Sequence, residues 1–223
     1  MPANLSSTSK IIDTILVLDF GSQYTQLIAR RVRDSNVYSE ILPWDIDEKK
    51  IKSINPKGII LSGGPDSVTD SYTPRIPQMI FDLNVPILGI CYGMQTLAEQ
   101  FGGQVISSEL KEFGYSELKV KTDCVLFSNL DKTLNVWMSH GDQVQDLPDN
   151  FDLVAASTSA PIAAMQHSTK PIYALQFHPE VTHTEDGKII LDNFLFKVCK
   201  ANSGWRMDDL IKQRIQEIKS KVQ

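Results

Sequence analysis

Short apolar runs alternate with amphipathic segments along the first hundred residues of the chain. Strand-length runs that are rich in Ile, Leu and Val are found at 15–19, 37–42 and 58–61. Apolar residues recur at helical spacing over 24–32, and a second, shorter helix is predicted around 76–83. Because strands that alternate with helices build parallel sheets covered on both faces, the pattern predicts an open, mainly parallel α/β sheet.

The pattern changes after residue 103 to shorter alternating segments, which predict additional strands and hairpins, partly antiparallel. These segments are 104–107, 115–121, 125–127, 135–139, 153–156 and 161–166. A last apolar strand ends at Phe177, and a helix is predicted over 188–200. A second helix over about 207–222 carries its apolar residues on one face; these are Leu210, Ile211, Ile215, Ile218 and Val222.

The chain therefore divides into three predicted parts. Residues 1–10 are largely polar, and residues 1–13 are expected to be a disordered lead-in, residues 14–202 the folded domain, and residues 203–223 a C-terminal helix or linker.

One strand ends in a sharp turn that carries a cysteine. The run that ends at Ile90 leads into Cys91, which lies between Gly89 and Gly93, and a helical pattern follows. At the start of a helix, unpaired N–H groups and the helix dipole favour a thiolate, so Cys91 is a candidate nucleophile. Taken alone, it is equally consistent with a small buried hydrophobe.

The strand that ends at Phe177 supplies partners for this cysteine. His178, Pro179 and Glu180 follow directly, and the proline ends the strand, so the imidazole and the carboxylate both project from its carboxyl end. His178 would be the general base and Glu180 would orient it, which completes a Cys91–His178–Glu180 triad. A satisfied loop histidine and a solvated surface carboxylate are the plainer alternatives.

Several segments together resemble a known family. LDFGSQYTQLIARRVR, ILSGGPDSV, GICYGMQ, EFGYSEL, VWMSHGD and ALQFHPEVTHT are similar to the class I glutamine amidotransferase domain of the GMP synthetases, from about Thr14 to Lys200. The motifs GxCxG and FHPE indicate only the amidotransferase class. The segments DFGSQYTQLIARR and MSHGD resemble, more specifically, the members of this class that serve GMP synthesis. The resemblance implies a flavodoxin-like sheet with a small additional antiparallel sheet.

The resemblance also implies roles for further residues. The backbone N–H groups of Gly64 and Tyr92 would form an oxyanion hole. Four residues would bind glutamine: Gly63, Gln95, Ser139 and His140. Asp142 would face a partner domain.

Two parts of this assignment have rivals. Residues 62–68, SGGPDSV, also resemble the pyrophosphate loop of ATP pyrophosphatases. Here they follow the third strand of a fold whose next strand ends in the Cys91 turn, which favours the oxyanion role. His140 is a second candidate general base, because it lies in a polar turn close to Asp142. Family likeness favours His178.

Composition narrows the possible ligands and the compartment. The formal charge of −5 argues against broad binding to nucleic acid or to anionic membranes. Three widely spaced cysteines fit neither a disulfide framework nor a CxxC metal site, so a reducing cytoplasm and a metal-free domain are expected. We expect no cofactor in this chain, and ATP and Mg²⁺ are expected only in the synthetase domain.

The resemblance predicts the glutaminase half of a larger enzyme. Glutamine would be hydrolysed through a γ-glutamyl thioester on Cys91, and the ammonia would pass to an ATP pyrophosphatase domain that adenylylates XMP. Residues 203–223 would lead toward this synthetase domain. This chain alone is expected to be monomeric. The alternatives are the glutaminase component of another amidotransferase, a related cysteine hydrolase such as a γ-glutamyl hydrolase or peptidase, and a non-enzymatic module with an unused triad.

Overall fold

The computed structural model describes residues 12–121, 123–208, 211, 215 and 218–220, with the backbone alone at 108–111. In these residues the strands are β1 (Thr14–Asp19), β2 (Tyr38–Pro43), β3 (Gly58–Leu61), β4 (Ile87–Ile90), β5 (Gln104–Val120), β6 (Thr133–Asp146), β7 (Phe151–Ala156), β8 (Ala164–His167) and β9 (Ile172–Leu175). The α-helices are α1 (Thr25–Asp34), α2 (Glu48–Ile54), α3 (Gln78–Asp82), α4 (Tyr92–Gln100) and α5 (Gly187–Asp192).

The strands of the described chain form one nine-stranded sheet in the order β2-β1-β3-β4-β9-β8-β7-β5-β6. The first five strands in this order are parallel, and their order corresponds to the flavodoxin-like arrangement. The remaining pairs are antiparallel. The predicted α/β class is confirmed, and the antiparallel strands extend the parallel sheet instead of forming a separate one.

Strand β1 shows why both faces of the parallel sheet are covered. Ile15 and Val17 are fully buried in the cluster that includes α1 and α5, whereas Leu16 and Leu18 are fully buried in the cluster that includes α2, α3 and α4. Because successive side chains of a strand point to opposite faces, an uninterrupted apolar strand needs helices on both sides.

The parallel register brings the ends of β4 and β9 together. Ile90 pairs with Leu175, and the backbone N–H of Cys91 donates to the carbonyl oxygen of Leu175 at 2.8 Å. The residues that follow β4 and those that follow β9 therefore lie at one edge of the sheet, where ligands of open α/β sheets bind.

Some local predictions were wrong. Residues Val125–Phe127 form a 3-10 helix, not a strand, and the Asn193 side chain donates to the Leu126 carbonyl oxygen at 2.8 Å. The predicted strands at 104–107 and 115–121 are parts of the single strand β5, which is irregular between Ser107 and Glu112. The predicted helix at 188–200 divides into α5 and a π-helix, Asn193–Val198.

The sequence pattern did not indicate α2, a helix of seven residues in which Ile51 is the buried residue. Its first turn is capped by the Asp47 side chain, which accepts a hydrogen bond from the Lys49 N–H at 2.7 Å.

The predicted C-terminal helix is helical at 207–208, 211, 215 and 218–220. Its described apolar residues are not buried, since Ile211, Ile215 and Ile218 are 49%, 47% and 62% exposed. Leu210 and Val222 of the same face, and residues 1–11 of the predicted lead-in, lie outside the described residues. Among the helices that the structure describes, none is long and apolar enough to cross a membrane.

Candidate active site

The turn after β4 holds Cys91 in a strained backbone conformation. Cys91 has φ 53° and ψ −107°, and its side chain is buried. Such conformations cost about 1–3 kcal/mol and persist where the surroundings enforce them. Here α4 packs tightly on the sheet, because a Cβ atom on Gly89 would lie 2.7 Å from the Gly93 carbonyl oxygen. The turn therefore presents Cys91 at the start of α4.

His178 lies buried beside this cysteine and is paired with Glu180. The His178 Nδ1 atom is 2.7 Å from Glu180 Oε1, and both residues are almost completely buried. Burial lowers the pKa of His178, but the Glu180 carboxylate and the neighbouring Cys91 sulfur outweigh it and raise that pKa well above its ordinary value. The protonated imidazole is thus stabilised between a carboxylate and a sulfur.

The backbone of this segment is fixed by residues to which the sequence assigned no role. The Thr184 hydroxyl donates to the His178 carbonyl oxygen at 2.7 Å and accepts from the Trp137 N–H at 3.1 Å. The Arg31 Nε atom donates to the Glu180 carbonyl oxygen at 2.9 Å. These bonds join the segment to β6 and α1, and they fix the backbone that carries the imidazole.

The glycine loop after β3 lies against both the cysteine turn and the imidazole. A Cβ atom on Gly63 would lie 3.4 Å from His178 Cε1, and one on Gly64 would lie 2.8 Å from the Phe20 carbonyl oxygen and 3.1 Å from Tyr92 Cγ. A side chain at Gly64 would therefore displace its neighbours. The structure brings both residues of the predicted oxyanion hole, Gly64 and Tyr92, into proximity.

A buried serine that the sequence did not indicate anchors this loop. The Ser62 hydroxyl donates to the Gly63 carbonyl oxygen at 2.7 Å and accepts from the Phe20 N–H at 3.0 Å. The Ser62 carbonyl oxygen also accepts from the Gly93 N–H at 3.1 Å. One residue thus connects the glycine loop to α4.

Of the other residues predicted to bind glutamine, Ser139 lies beside the cysteine and Gln95 lies in the buried interior. The Ser139 carbonyl oxygen lies 3.6 Å from Cys91 Sγ, close enough to accept the thiol proton. The Gln95 side chain is buried, and its Nε2 atom donates to the Asp142 carbonyl oxygen at 2.8 Å. Asp142 itself is only 8% exposed. Its predicted contact with a partner domain stays a prediction.

The rival base, His140, lies within strand β6 and not in the polar turn that the sequence predicted, and its carboxylate partner is not Asp142. Its Nε2 atom lies 3.2 Å from Glu112, which faces it across the β5–β6 pair, and Glu112 accepts a hydrogen bond from Ser159. Burial lowers the pKa of His140, and the Glu112 charge opposes this only in part. His140 is therefore favoured in the neutral form.

The other two cysteines lie in environments that disfavour ionisation. Burial raises the pKa of Cys124 to about 11, and burial also raises the pKa of Cys199. Within the described part of the chain, no cluster of three or more His, Cys, Asp or Glu side chains could hold a metal ion.

Together the groups around Cys91 are suited to acyl transfer. A neighbouring thiol and imidazole can exchange a proton, the carboxylate stabilises the imidazolium, and a loop without side chains leaves room for an oxyanion. The fold and site define an α/β protein with a Cys–His–Glu group at a strand-to-helix turn.

Comparisons with known proteins identify the family. The model for class I glutamine amidotransferases matches residues 16–198, so the chain belongs to this family. A protein of Vibrio cholerae serotype O1 named glutamine-hydrolyzing GMP synthase is 50% identical over 93% of this chain, and one of Vibrio vulnificus with the same name is 51% identical over 93%. The chain spans 40% of the length of both relatives.

Solved structures agree with this assignment. A Thermoplasma acidophilum protein named as one of the subunits of a GMP synthase is 33% identical, with a TM-score of 0.74 over 92% of this chain and 98% of its own. A glutamine amidotransferase of Thermotoga maritima is 19% identical, with a TM-score of 0.67 over 85% of this chain and 99% of its own, which shows likeness of fold alone.

Proposed function

We propose that this chain is the glutaminase part of a GMP synthase. The observation that carries the proposal is the buried His178–Glu180 pair, at 2.7 Å, beside a cysteine on a strained turn, in a class I glutamine amidotransferase. The names of the Vibrio and Thermoplasma relatives support the assignment to GMP synthesis.

In the proposed reaction, the Cys91 thiolate attacks the side-chain amide carbon of glutamine. The backbone N–H groups of Gly64 and Tyr92 stabilise the negative charge on the carbonyl oxygen. His178, held by Glu180, donates a proton to the departing nitrogen, and ammonia leaves as the γ-glutamyl thioester forms. Water then gives one proton to His178 and attacks the thioester, which releases glutamate and a proton and restores the Cys91 thiolate beside the protonated His178.

Glutamine itself is proposed to lie between the glycine loop and β6, in contact with Gly63, Gln95 and the backbone at Ser139 and His140. The ammonia is used by an ATP pyrophosphatase domain that binds ATP and Mg²⁺ and aminates adenylylated XMP, and Asp142 faces that domain. This chain alone needs no cofactor, is monomeric, binds neither nucleic acid nor membranes, and functions in the reducing cytoplasm.

Covalent labelling tests the nucleophile and the substrate together. The protein is incubated with a diazo ketone analogue of glutamine and its intact mass is measured. One adduct is expected on the wild type and on Cys124→Ser, none on Cys91→Ala, and excess glutamine should block labelling. Labelling that persists in Cys91→Ala, or that glutamine does not block, would contradict the proposal.

Reconstitution tests the assignment to GMP synthesis. The chain is mixed with the synthetase part of the Vibrio cholerae relative, ATP, Mg²⁺ and XMP, and GMP is measured with glutamine or with ammonium as the nitrogen source. We expect ammonium to support GMP formation with or without the chain, and glutamine to support it only with the chain and its Cys91. If labelling succeeds and glutamine supports no GMP formation, the chain is a glutaminase of another amidotransferase.

A further inference from the structure

We propose that Gln176 donates a hydrogen bond from its side-chain amide to the Cys91 sulfur and stabilises the thiolate, and that Gln95 fixes the orientation of this amide. The inference rests on the proposed role of Cys91 as the nucleophile. It adds to the triad a residue that touches the reacting atom itself.

The backbone places Gln176 beside the cysteine. Because Ile90 pairs with Leu175 in the parallel β4–β9 register, the next residues along the two chains are Cys91 and Gln176. Gln176 is fully buried, and its Nε2 atom lies 3.8 Å from Cys91 Sγ, within the range of a hydrogen bond to sulfur. Gln176 directly follows a paired residue of β9, so the sheet register itself places its side-chain amide beside the sulfur.

The neighbours of Gln176 determine which end of its amide faces the sulfur. The Gln95 Nε2 atom donates to the Asp142 carbonyl oxygen at 2.8 Å. Because a carbonyl oxygen can only accept, the nitrogen end of the Gln95 amide must face Asp142. The same nitrogen lies 3.5 Å from Gln176 Oε1. Since an N–H group must meet an oxygen, Gln176 turns its own N–H₂ group towards Cys91.

The thiolate needs such a donor because a backbone carbonyl oxygen also lies close to the sulfur. The Ser139 carbonyl oxygen, 3.6 Å from the sulfur, accepts the proton of a thiol but repels a thiolate. An amide N–H keeps its proton at any relevant pH and points its positive end at the sulfur. Gln176 therefore offsets the repulsion from Ser139 whether or not glutamine is bound.

The pH dependence of alkylation at Cys91 tests this role directly. The wild type, Gln176→Met and Gln95→Met are treated with iodoacetamide across a pH series, and the rate is followed from the mass of the peptide that contains Cys91. Methionine has a similar volume but no amide donor. The half-buried Gln166 of β8 gives the matched control, Gln166→Met.

We expect Gln176→Met to raise the midpoint of the alkylation profile by about one pH unit, the size of shift that a hydrogen bond to a charged group produces. Gln95→Met should raise it less, and Gln166→Met should leave it unchanged. The kcat for glutamine should fall about tenfold in Gln176→Met, as the population of thiolate falls.

Failure of this inference differs from failure of the proposed function. If Cys91 of the wild type alkylates no faster than Cys124 at neutral pH, the nucleophile assignment itself is wrong. If the wild type reacts rapidly and a folded Gln176→Met keeps its midpoint, the role of Gln176 is overturned. Should Gln176→Met fail to fold, an unchanged midpoint in Gln95→Met would overturn it equally.

Discussion

Gly93 of α4 lies so close to β3 that a Cβ atom on it would stand 2.5 Å from the carbonyl oxygen of Leu61. The Gly93 N–H also donates to the next carbonyl oxygen of that segment, of Ser62, at 3.1 Å. The first turn of α4 is therefore pressed onto the sheet by a glycine, and this contact fixes the position from which Cys91 reaches its partners.

Gly93→Ala should destabilise the fold. In an unconstrained helix alanine is favoured over glycine by about 1 kcal/mol, but here its methyl group meets the backbone of β3, and overpacking costs about 1–3 kcal/mol. We expect a lower free energy of unfolding in urea and slower labelling of Cys91. Gly204→Ala is the control, because nothing lies within 4 Å of a Cβ atom there. Equal stability of both variants would show that α4 can move off the sheet.

Cys91→Gly should be more stable than Cys91→Ala, although neither can form a thioester. Glycine removes the backbone strain at φ 53°, which costs about 1–3 kcal/mol. Relative to alanine, it also lowers the free energy of unfolding by about 0.4–1 kcal/mol, because the unfolded chain gains entropy. A net gain of about 1 kcal/mol in urea unfolding is expected. The same pair of variants at Cys124, where φ is −140°, should show the opposite order. If alanine were more stable than glycine at both positions, the turn at Cys91 would be unstrained.

The sequence predicted the parts of the site that depend on local signals. The turn around Cys91 and the end of the strand before His178 are indicated by glycine, proline and apolar runs within a few residues, and the parallel sheet brings their ends together. The helix α2 escaped prediction because Ile51 is the buried residue in a lysine-rich segment of seven residues. Such a segment has almost no apolar periodicity.

Contacts that depend on register could not be predicted. Glu112 meets His140 because β5 and β6 pair across an irregularity at Ser107–Glu112, and no pattern in the sequence gives its place. Gln176 meets Cys91 because β4 and β9 pair in one particular register. Glu112 and Gln176 both lie in segments that resemble the family, yet the partner of each is distant in the chain.

His140→Gln should weaken the loss of stability at acid pH. The pKa of His140 is lowered in the folded state, so below about pH 6.5 the unfolded chain takes up a proton that the folded chain does not, and stability falls as the pH falls. Removing His140 removes this term, while the opposite contribution of His178 remains in both proteins. We expect the loss of unfolding free energy between pH 7.5 and 5.5 to be smaller by about 1 kcal/mol. A loss that is equal or larger in the variant would show that His140 is charged when folded.

Glu180→Gln should keep the position of the His178 imidazole but remove the negative charge that stabilises its protonated form. The amide can still contact His178 Nδ1, but it removes the carboxylate that raises the pKa of His178, so that pKa should fall and less imidazolium is available to donate a proton to the leaving nitrogen. By analogy with other triads, kcat for glutamine should fall by about 10²–10⁴-fold. The exposed Glu185 provides the matched control, Glu185→Gln, which should keep the activity of the wild type. Activity is measured as glutamate release, with circular dichroism to verify folding, and a folded Glu180→Gln within twofold of the control would place the required charge elsewhere than at Glu180.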